Sequence, residues 1–267
     1  MAYKKAIAVW AIICIFDAMN RIFKTIALMV LLAVPYAALA DGNITVMTYN
    51  VRNGVGLDGL RDHTRIAGVI KSRKPDFVGI QEVDSMTNRA NRAYVLGEIA
   101  DAAGMVPSFA PAIKYDGGLY GIGLLSENRP DSIKSIPLPG REEQRTLIVG
   151  YFKDYVIANT HLSLTPEDAL ESVGIIRELL GEEKNRPVIL MGDLNSHPDS
   201  PVIKELSRDF TIISPDAPSF PANDPNERID YIMISKGTSF TLGKAEVIPA
   251  ETASDHRPVL ITLSIHN

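Results

Sequence analysis

The stretch Pro187-Val188-Ile189-Leu190-Met191-Gly192-Asp193-Leu194-Asn195 decides the fold and marks a candidate site. Val188 to Gly192 is a short apolar run opened by a proline, which predicts a buried strand. Asp193 and Asn195 follow at alternate positions, and such residues point the same way in an extended chain. Loops at the carboxyl ends of strands carry ligand-binding groups in open α/β folds, so this edge is a candidate site. For Gly-Asp-x-Asn alone, an Asx turn that closes the strand is the simpler interpretation.

The chain has 267 residues, which is enough for one large α/β domain or two small ones. Its hydrophobic content of 46% and charged content of 22% are typical of a globular protein. No segment is of low complexity, and no internal repeat recurs at a fixed period. We therefore expect one folded domain, residues 41–267, behind an N-terminal segment, residues 1–40.

Residues 1–40 have the pattern of a signal peptide. An apolar run from Thr25 to Val34 follows Arg21 and Lys24, and Ala38-Leu39-Ala40 forms a small-x-small cleavage site. The run is too short for a membrane-spanning helix of ~20 residues. We expect cleavage before Asp41, export to the periplasm or the medium, and no stable membrane span in the mature protein.

A second apolar run, residues 6–16, lies upstream and ends at Asp17. Met19 would itself begin a complete signal peptide, so one interpretation is that residues 1–18 are an artefact of the assigned start. The other is a membrane-tethered N-terminus made of both runs, which Asp17, Arg21 and Lys24 would interrupt at a cost.

Cleavage would change both the cysteine content and the charge of the chain. The only cysteine, Cys14, would be lost, so the mature fold would depend on its core rather than on a disulfide. Residues 1–40 hold four of the 27 basic and one of the 32 acidic side chains, which leaves 23 basic against 31 acidic groups, a net charge of −8. Such a chain is poorly suited to tight, nonspecific binding of a polyanion.

The order of predicted elements indicates the fold class. Several strands alternate with helices and many others are joined directly, which excludes a purely parallel sheet. The pattern predicts an α/β (α+β) fold of two mixed sheets packed face to face with helices outside. Strands are predicted over 44–49, 77–80, 121–126, 132–136, 146–152, 155–159, 188–192, 211–214, 228–234, 240–247 and 258–265, and helices over 62–73, 94–103, 166–180 and 200–206.

Polar residues recur at the ends of the predicted strands. A lone histidine or asparagine at such a place is more often structural than catalytic. Asp230 is harder to explain in this way, because it lies within an apolar strand and a buried carboxylate needs a partner. Together the residues form an ordered set: Asn50, Glu82, His161, Asp193, Asn195, Asp230, Asp255 and His256.

This set resembles the motifs of the endonuclease/exonuclease/phosphatase superfamily, which includes pancreatic-type DNases, apurinic-site endonucleases, inositol-phosphate phosphatases and sphingomyelinases. The resemblance covers residues 44–265 and implies a four-layer α/β/β/α sandwich. The motifs are Thr48-Tyr49-Asn50, Gln81-Glu82-Val83, Thr160-His161-Leu162, Gly192-Asp193-Leu194-Asn195, Arg228-Ile229-Asp230-Tyr231 and Ser254-Asp255-His256-Arg257-Pro258.

The resemblance also implies a divalent metal, Mg²⁺ or alternatively Mn²⁺. Glu82 would bind it, with Asn50 and Asp255 as further ligands or as neighbours of the ligands. Carboxylate and amide oxygens are the ligands that such hard cations prefer.

Five residues would carry the reaction by the same resemblance. Asp193 would orient and deprotonate the attacking water, and Asn195 would donate to a phosphate oxygen. His256 would stabilise the developing charge, with Asp230 holding its ring and favouring its protonated form. His161 would contact the phosphate or assist the leaving group.

Four other residues stay undecided from the sequence. Tyr115 or Tyr120 would supply the tyrosine that some members use, although core packing explains either one as well. Arg141 and Arg145 flank two glutamates, and a solvated loop accounts for them better than a phosphate clamp.

These patterns favour a metal-dependent phosphodiesterase, monomeric, that acts on a small phosphoester or a lipid head group. A secreted nonspecific DNA endonuclease is the alternative, and nucleic acid is the less favoured substrate because the mature chain is acidic. A catalytically inactive binding module on the same fold is the second alternative, although no motif position is lost.

Overall fold

The computed structural model describes residues 43–266, so the expected signal peptide lies outside the described residues. Within this range, no helix is long and apolar enough to cross a bilayer. The strands are β1 (Asn43–Asn50), β2 (Phe77–Ser85), β3 (Val106–Tyr115), β4 (Gly118–Ser126), β5 (Ser132–Leu138), β6 (Arg145–Tyr151), β7 (Val156–His161), β8 (Val188–Asp193), β9 (Phe210–Ile212), β10 (Asp230–Ser235), β11 (Ser239–Val247) and β12 (Val259–His266). The helices are α1 (His63–Arg73), α2 (Val95–Ala103), α3 (Pro166–Gly181) and α4 (Pro201–Leu206), with a 3-10 turn at Arg52–Gly54.

Two mixed six-stranded sheets make up the centre of the fold. The first has the order β11-β12-β1-β2-β4-β3 and the second β5-β6-β7-β8-β10-β9. Each contains one central parallel pair, β1 with β2 and β7 with β8. The last two strands of the chain therefore return to the sheet that the first strand began.

Three apolar clusters define four layers. Helices α1 and α2 cover the outer face of the first sheet, where Ile66 and Leu96 are fully buried. Helices α3 and α4 cover the outer face of the second sheet through residues such as Ile176 and Leu206. A third cluster fills the space between the sheets. The predicted four-layer α/β/β/α sandwich is confirmed.

Local signals in the sequence explain where the helices begin and end. The Asp62 side chain accepts a hydrogen bond from the backbone N–H of Arg65 and so caps α1. Helix α3 begins with Pro166, whose missing N–H costs nothing in the first turn. Helix α2 stops at Gly104, whose φ of 77° is left-handed.

Strand alternation places the polar strand ends between the sheets. On β8, Ile189 and Met191 belong to the central cluster, and Asp193 is the next residue on the same face. The same alternation holds on three other strands, which end or begin with Asn50, His161 and Asp230.

The main differences from the sequence prediction concern three strands. Strand β3 was not predicted because Pro107 and Pro111 break its pattern, but it is an edge strand with a register shift after Pro111, where proline is tolerated. Strand β2 continues to Ser85 instead of ending at residue 80. Asp230 begins β10 rather than lying at the centre of a strand.

Candidate active site

The candidate active site lies at one end of the sandwich, where β1, β7 and β8 end and β10 begins. Side chains from both sheets meet there: Asn50, Glu82, His161, Asp193, Asp230 and His256.

Asn50 connects the two sheets. Its side-chain nitrogen donates to Glu82 Oε1 on the first sheet and to Asp193 Oδ2 on the second, both at 3.0 Å. Its side-chain oxygen accepts from the backbone N–H of Arg52. The amide is fully used, and it sets the separation of the two carboxylates.

Glu82 reaches the site through a β-bulge in β2. Ile80 pairs with Gly123 and Val83 with Gly121, so two residues of β2 oppose one of β4. Ile80 and Val83 both pack in the outer cluster, and the extra residue turns Glu82 inward with a left-handed φ of 59°. A glutamate in this conformation is strained, and such strain is often found at functional sites.

The charge environment of Glu82 favours a cation. Burial raises the pKa of its carboxyl, and the charges of Asp193 and Asp255 raise it further, against the Asn50 hydrogen bond and the charge of His256. Within residues 43–266, no basic side chain forms an ion pair with Glu82.

Asp193, Asp230 and His256 lie together, with His256 hydrogen-bonded to Asp230 and close to Asp193. Asp230 and Asp193 are register partners on β10 and β8. His256 Nδ1 lies 3.0 Å from Asp230 Oδ2, and Nε2 lies 3.7 Å from Asp193 Oδ2. Burial acts to lower the pKa of His256, but the charge and hydrogen bond of Asp230, followed by Asp193 and Asp255, outweigh it and raise the pKa to about 10. His256 is therefore an imidazolium at neutral pH.

Two residues that support this group escaped the sequence analysis. The Ser219 hydroxyl donates to Asp230 Oδ2, and the Phe220 ring lies 4.6 Å from the His256 ring between centroids. Both lie in a loop whose composition carries no motif, so no sequence signal indicated them.

The surroundings of His161 favour its neutral form, in contrast to those of His256. Arg145 Nη1 lies 3.3 Å from its Nδ1, so Nδ1 is the acceptor and the ring proton is on Nε2. That Nε2 lies 3.6 Å from Asp193 Oδ2. The pKa of His161 is lowered to about 4, mainly by burial. The charge of Asp193 acts to raise it, whereas the charges of Arg145 and His256 lower it further. His161 is therefore neutral at neutral pH.

The two arginines have different surroundings. Arg141 is exposed and pairs with Asp168, as a solvated loop predicts. For Arg145 the solvated-loop interpretation is wrong: its side chain is 7% exposed and pairs with Glu142 and Glu143. It is buried because it reaches across to His161 between these two carboxylates.

Asn195 lies at the site, but its backbone is not extended. Its φ of 46° is left-handed, and its backbone N–H donates to Asp193 Oδ1 at 3.0 Å, so the Asx turn is present. Its side-chain nitrogen donates to the carbonyl of Leu162, the residue after His161. The turn thus joins the β8 and β7 loops.

The remaining predicted residues border the site. Asp255 Oδ2 lies 3.2 Å from Arg52 Nε. Burial raises the pKa of the Tyr120 hydroxyl, and the nearby charge of Glu82 raises it further. The hydroxyl therefore stays neutral. Tyr115 is 40% exposed and stacks on Arg89, 4.4 Å from the ring centroid.

Solved structures with the same fold come from several phosphoesterases. The chain aligns with an endonuclease/exonuclease/phosphatase from Beutenbergia cavernae at 22% identity and a TM-score of 0.70, over 84% of this chain and 72% of that one. A mannosyl-6-phosphatase from Bacteroides thetaiotaomicron aligns at 21% identity and 0.66, over 82% and 99%. The 2′,3′-cyclic phosphatase ANGEL2 aligns at 13% identity and 0.64, over 83% and 95%.

Sequence comparison gives the family directly. No curated protein matches the chain. The model of the Endonuclease/Exonuclease/phosphatase family matches residues 47–256, a range that includes every strand end of the site. The chain therefore belongs to the endonuclease/exonuclease/phosphatase family, whose members hydrolyse phosphoesters.

Proposed function

We propose that the protein is a divalent-metal-dependent phosphodiesterase that cleaves a small phosphoester or a lipid head group by in-line attack of an activated water. One observation carries this proposal. The Asp193 carboxylate is faced by two histidine Nε2 atoms at 3.6 and 3.7 Å, one ring neutral and the other cationic.

The two rings suit different steps of the reaction. Asp193 accepts the proton of the attacking water, since its Oδ2 lies between the two histidine Nε2 atoms and the Asn50 amide. The His256 imidazolium, held by Asp230, stabilises negative charge that develops on phosphorus oxygens. Neutral His161 offers an N–H to the phosphate or to the leaving oxygen, and Asn195 donates to a phosphate oxygen once it turns from Leu162.

The residues around Glu82 fit a divalent metal. Glu82 is a buried carboxylate with a raised pKa, and Asp255 adds a second carboxylate nearby. Asn50 turns its side-chain nitrogen toward Glu82, so it would hold this ligand in place rather than bind the metal itself. A bound Mg²⁺ or Mn²⁺ supplies positive charge that polarises the phosphoester. Asp193, Asp230 and His256 also have ligand atoms within 4.8 Å of one another. His256 Nδ1 is already hydrogen-bonded to Asp230, whereas Glu82 has no basic partner among residues 43–266, so we assign the metal to Glu82.

The charges around the site favour a small substrate over duplex DNA. Each of the nearby arginines already has a carboxylate partner: Arg52 pairs with Asp255, Arg141 with Asp168 and Arg145 with two glutamates, and Arg61 and Arg89 share Asp84. Duplex binding needs successive free cations along a face. Among residues 43–266, these paired arginines do not form such a row of free cations next to the reacting groups.

An apolar pocket supports a substrate with an apolar part. It has a volume of about 410 Å³, borders Asn195, and is lined by Leu164, Pro166, Leu170 and Val202. Leu164 is 68% exposed and Leu170 is 39% exposed, so both are free to contact a ligand. Pockets of this size hold small molecules.

The names of similar structures agree with this substrate class. One similar protein is a mannosyl-6-phosphatase and another is a 2′,3′-cyclic phosphatase. We also infer that the mature enzyme begins at Asp41, is exported, and acts as a monomer.

The experiment compares substrates directly. Purified residues 41–267 are given plasmid DNA and a panel of small phosphodiesters and phosphomonoesters with Mg²⁺, at low and moderate salt. Faster turnover of a small ester supports the proposal. Efficient plasmid degradation with weak activity on every small ester would make a secreted nuclease the better conclusion, and inactivity on all of them would favour a binding module.

A further inference from the structure

A buried asparagine crosses the space between the two sheets. Asn159 lies on β7, two residues before His161, and is fully buried. Its neighbours along the same face include Ile157, and the surrounding central cluster is apolar. An amide in such a place is costly unless all of its hydrogen-bonding groups are satisfied.

Each of its polar atoms is satisfied by the opposite sheet. The side-chain nitrogen donates to the carbonyls of Ile80 at 3.0 Å and Gly123 at 2.8 Å. The side-chain oxygen accepts from Gln81 Nε2 at 2.7 Å. Gln81 Nε2 in turn donates to Thr48 Oγ1 on β1 at 3.0 Å.

These partners surround the bulge that presents Glu82. Ile80 and Gly123 are the last register pair before the bulge, and Gln81 is its first residue. Asn159 therefore holds three of the groups that fix where the backbone departs from regular pairing. The very next residue, Glu82, has the left-handed φ.

The sequence leaves space for this contact. Gly79 lies on β2 opposite Asn159, and a Cβ built there would stand 2.7 Å from Asn159 Oδ1 and 2.8 Å from its Cγ. A larger residue at position 79 would force the amide, together with the Met191 side chain at 2.9 Å, to shift. The glycine and the asparagine therefore act as a pair.

We propose that Asn159 is a positioning residue for the metal site, because it fixes the β2 bulge that turns Glu82 toward Asp193. This inference depends on the proposed metal role of Glu82. Since His161 follows two residues later on the same strand, one side chain sets the relative position of a group from each sheet.

The test measures Mn²⁺ affinity by electron paramagnetic resonance of the free ion, without substrate. Asn159→Ser removes most of the amide contacts. Gly79→Ala displaces the amide without removing it. Ile157→Ala is the matched control, because it weakens the same buried face without touching the bulge. Glu82→Gln reports on the metal site itself.

We expect Asn159→Ser and Gly79→Ala each to raise the Mn²⁺ dissociation constant about 10-fold or more, the usual effect of losing a residue that orients a ligand. Ile157→Ala should leave it within about 2-fold at a similar loss of thermal stability. In activity assays, saturating Mg²⁺ should restore much of the turnover of both bulge variants.

The outcomes separate the two proposals. Wild-type affinity in Asn159→Ser and Gly79→Ala, with loss of binding in Glu82→Gln, overturns the role of Asn159 alone. An equal loss in Ile157→Ala also overturns it, because the effect would then follow stability. If the wild type does not bind Mn²⁺, or if Glu82→Gln binds it normally, the metal assignment and this inference both fall.

Discussion

Asp193→Asn tests the centre of the proposed mechanism, and the structure sets the size of both expected effects. Asp193 Oδ1 accepts from the Asn195 backbone, and Oδ2 accepts from Asn50. An amide has only one oxygen, so in either orientation its NH₂ group faces a donor. One buried donor left without an acceptor costs about 1–3 kcal/mol, which a fold of ordinary stability survives.

The effect on the rate should be larger than the effect on stability. Loss of a general base lowers turnover by about 10²-fold or more, and 10²-fold corresponds to about 2.7 kcal/mol of barrier. The assay is Mg²⁺-dependent hydrolysis of a chromogenic phosphodiester, with circular dichroism to check the fold. Asp168→Asn is the control, because it makes the same chemical change at a carboxylate paired with Arg141. Near-normal turnover by folded D193N protein would remove Asp193 from the mechanism.

Four further predictions concern other parts of the chain. Chelation should abolish activity, and Mg²⁺ or Mn²⁺ should restore it. Glu82→Ala should need a much higher metal concentration for the same activity. Full activity after exhaustive chelation would refute the proposed metal dependence. Partial burial opposes ionisation of Glu142, but hydrogen bonds from residues 163–165 outweigh it and lower its pKa to about 2. A lowered folded-state pKa stabilises the protein above the unfolded value near 4.5, and this is lost as pH falls toward 2. Glu142→Gln should therefore lower the denaturation midpoint at pH 7 and lose most of that effect only near pH 2; a constant difference would contradict this. N-terminal sequencing of protein from the envelope or the medium should begin at Asp41, whereas cytoplasmic protein that retains residues 1–40 would disprove export. Leu164→Asp should raise KM about 10-fold for esters with apolar groups and leave small polar esters unchanged; equal effects on both would exclude the pocket.

Much of the fold can be predicted from local sequence patterns, each of which concerns a single strand or helix. The apolar runs of β7 and β8 and the capping signals of α1 and α3 are local, so the sequence alone predicts them. Strand β3 was missed because its prolines argue against a strand, and only its place at a sheet edge makes them acceptable.

In the site, too, some residues follow from local sequence patterns and others depend on the tertiary structure. Asn50, His161, Asp193 and Asp230 continue the regular alternation of their strands, and the structure brings them together. Glu82 was singled out as a polar residue at a predicted strand end, and its metal role came only from the family motif, since a period of two would point it away from the site. Nothing in the sequence indicates the bulge that turns it inward.

The burial of Arg145 could not be predicted from residue type alone. An arginine beside two glutamates is usually solvated, and only the fold reveals that both glutamates and His161 enclose it. Its burial depends on partners supplied by separate loops.

The return of the last strand to the first sheet has a consequence for biosynthesis. Strand β12 pairs with β1 from Asn43↔Ser264 to Thr48↔Val259, and Asp255 and His256 immediately precede β12. A nascent chain therefore lacks the cationic ring of the site, and the partner of its first strand, until residues 256–266 have left the ribosome. Contacts so distant in sequence also form slowly. The site that both sheets share can therefore form only after β12 has been synthesised.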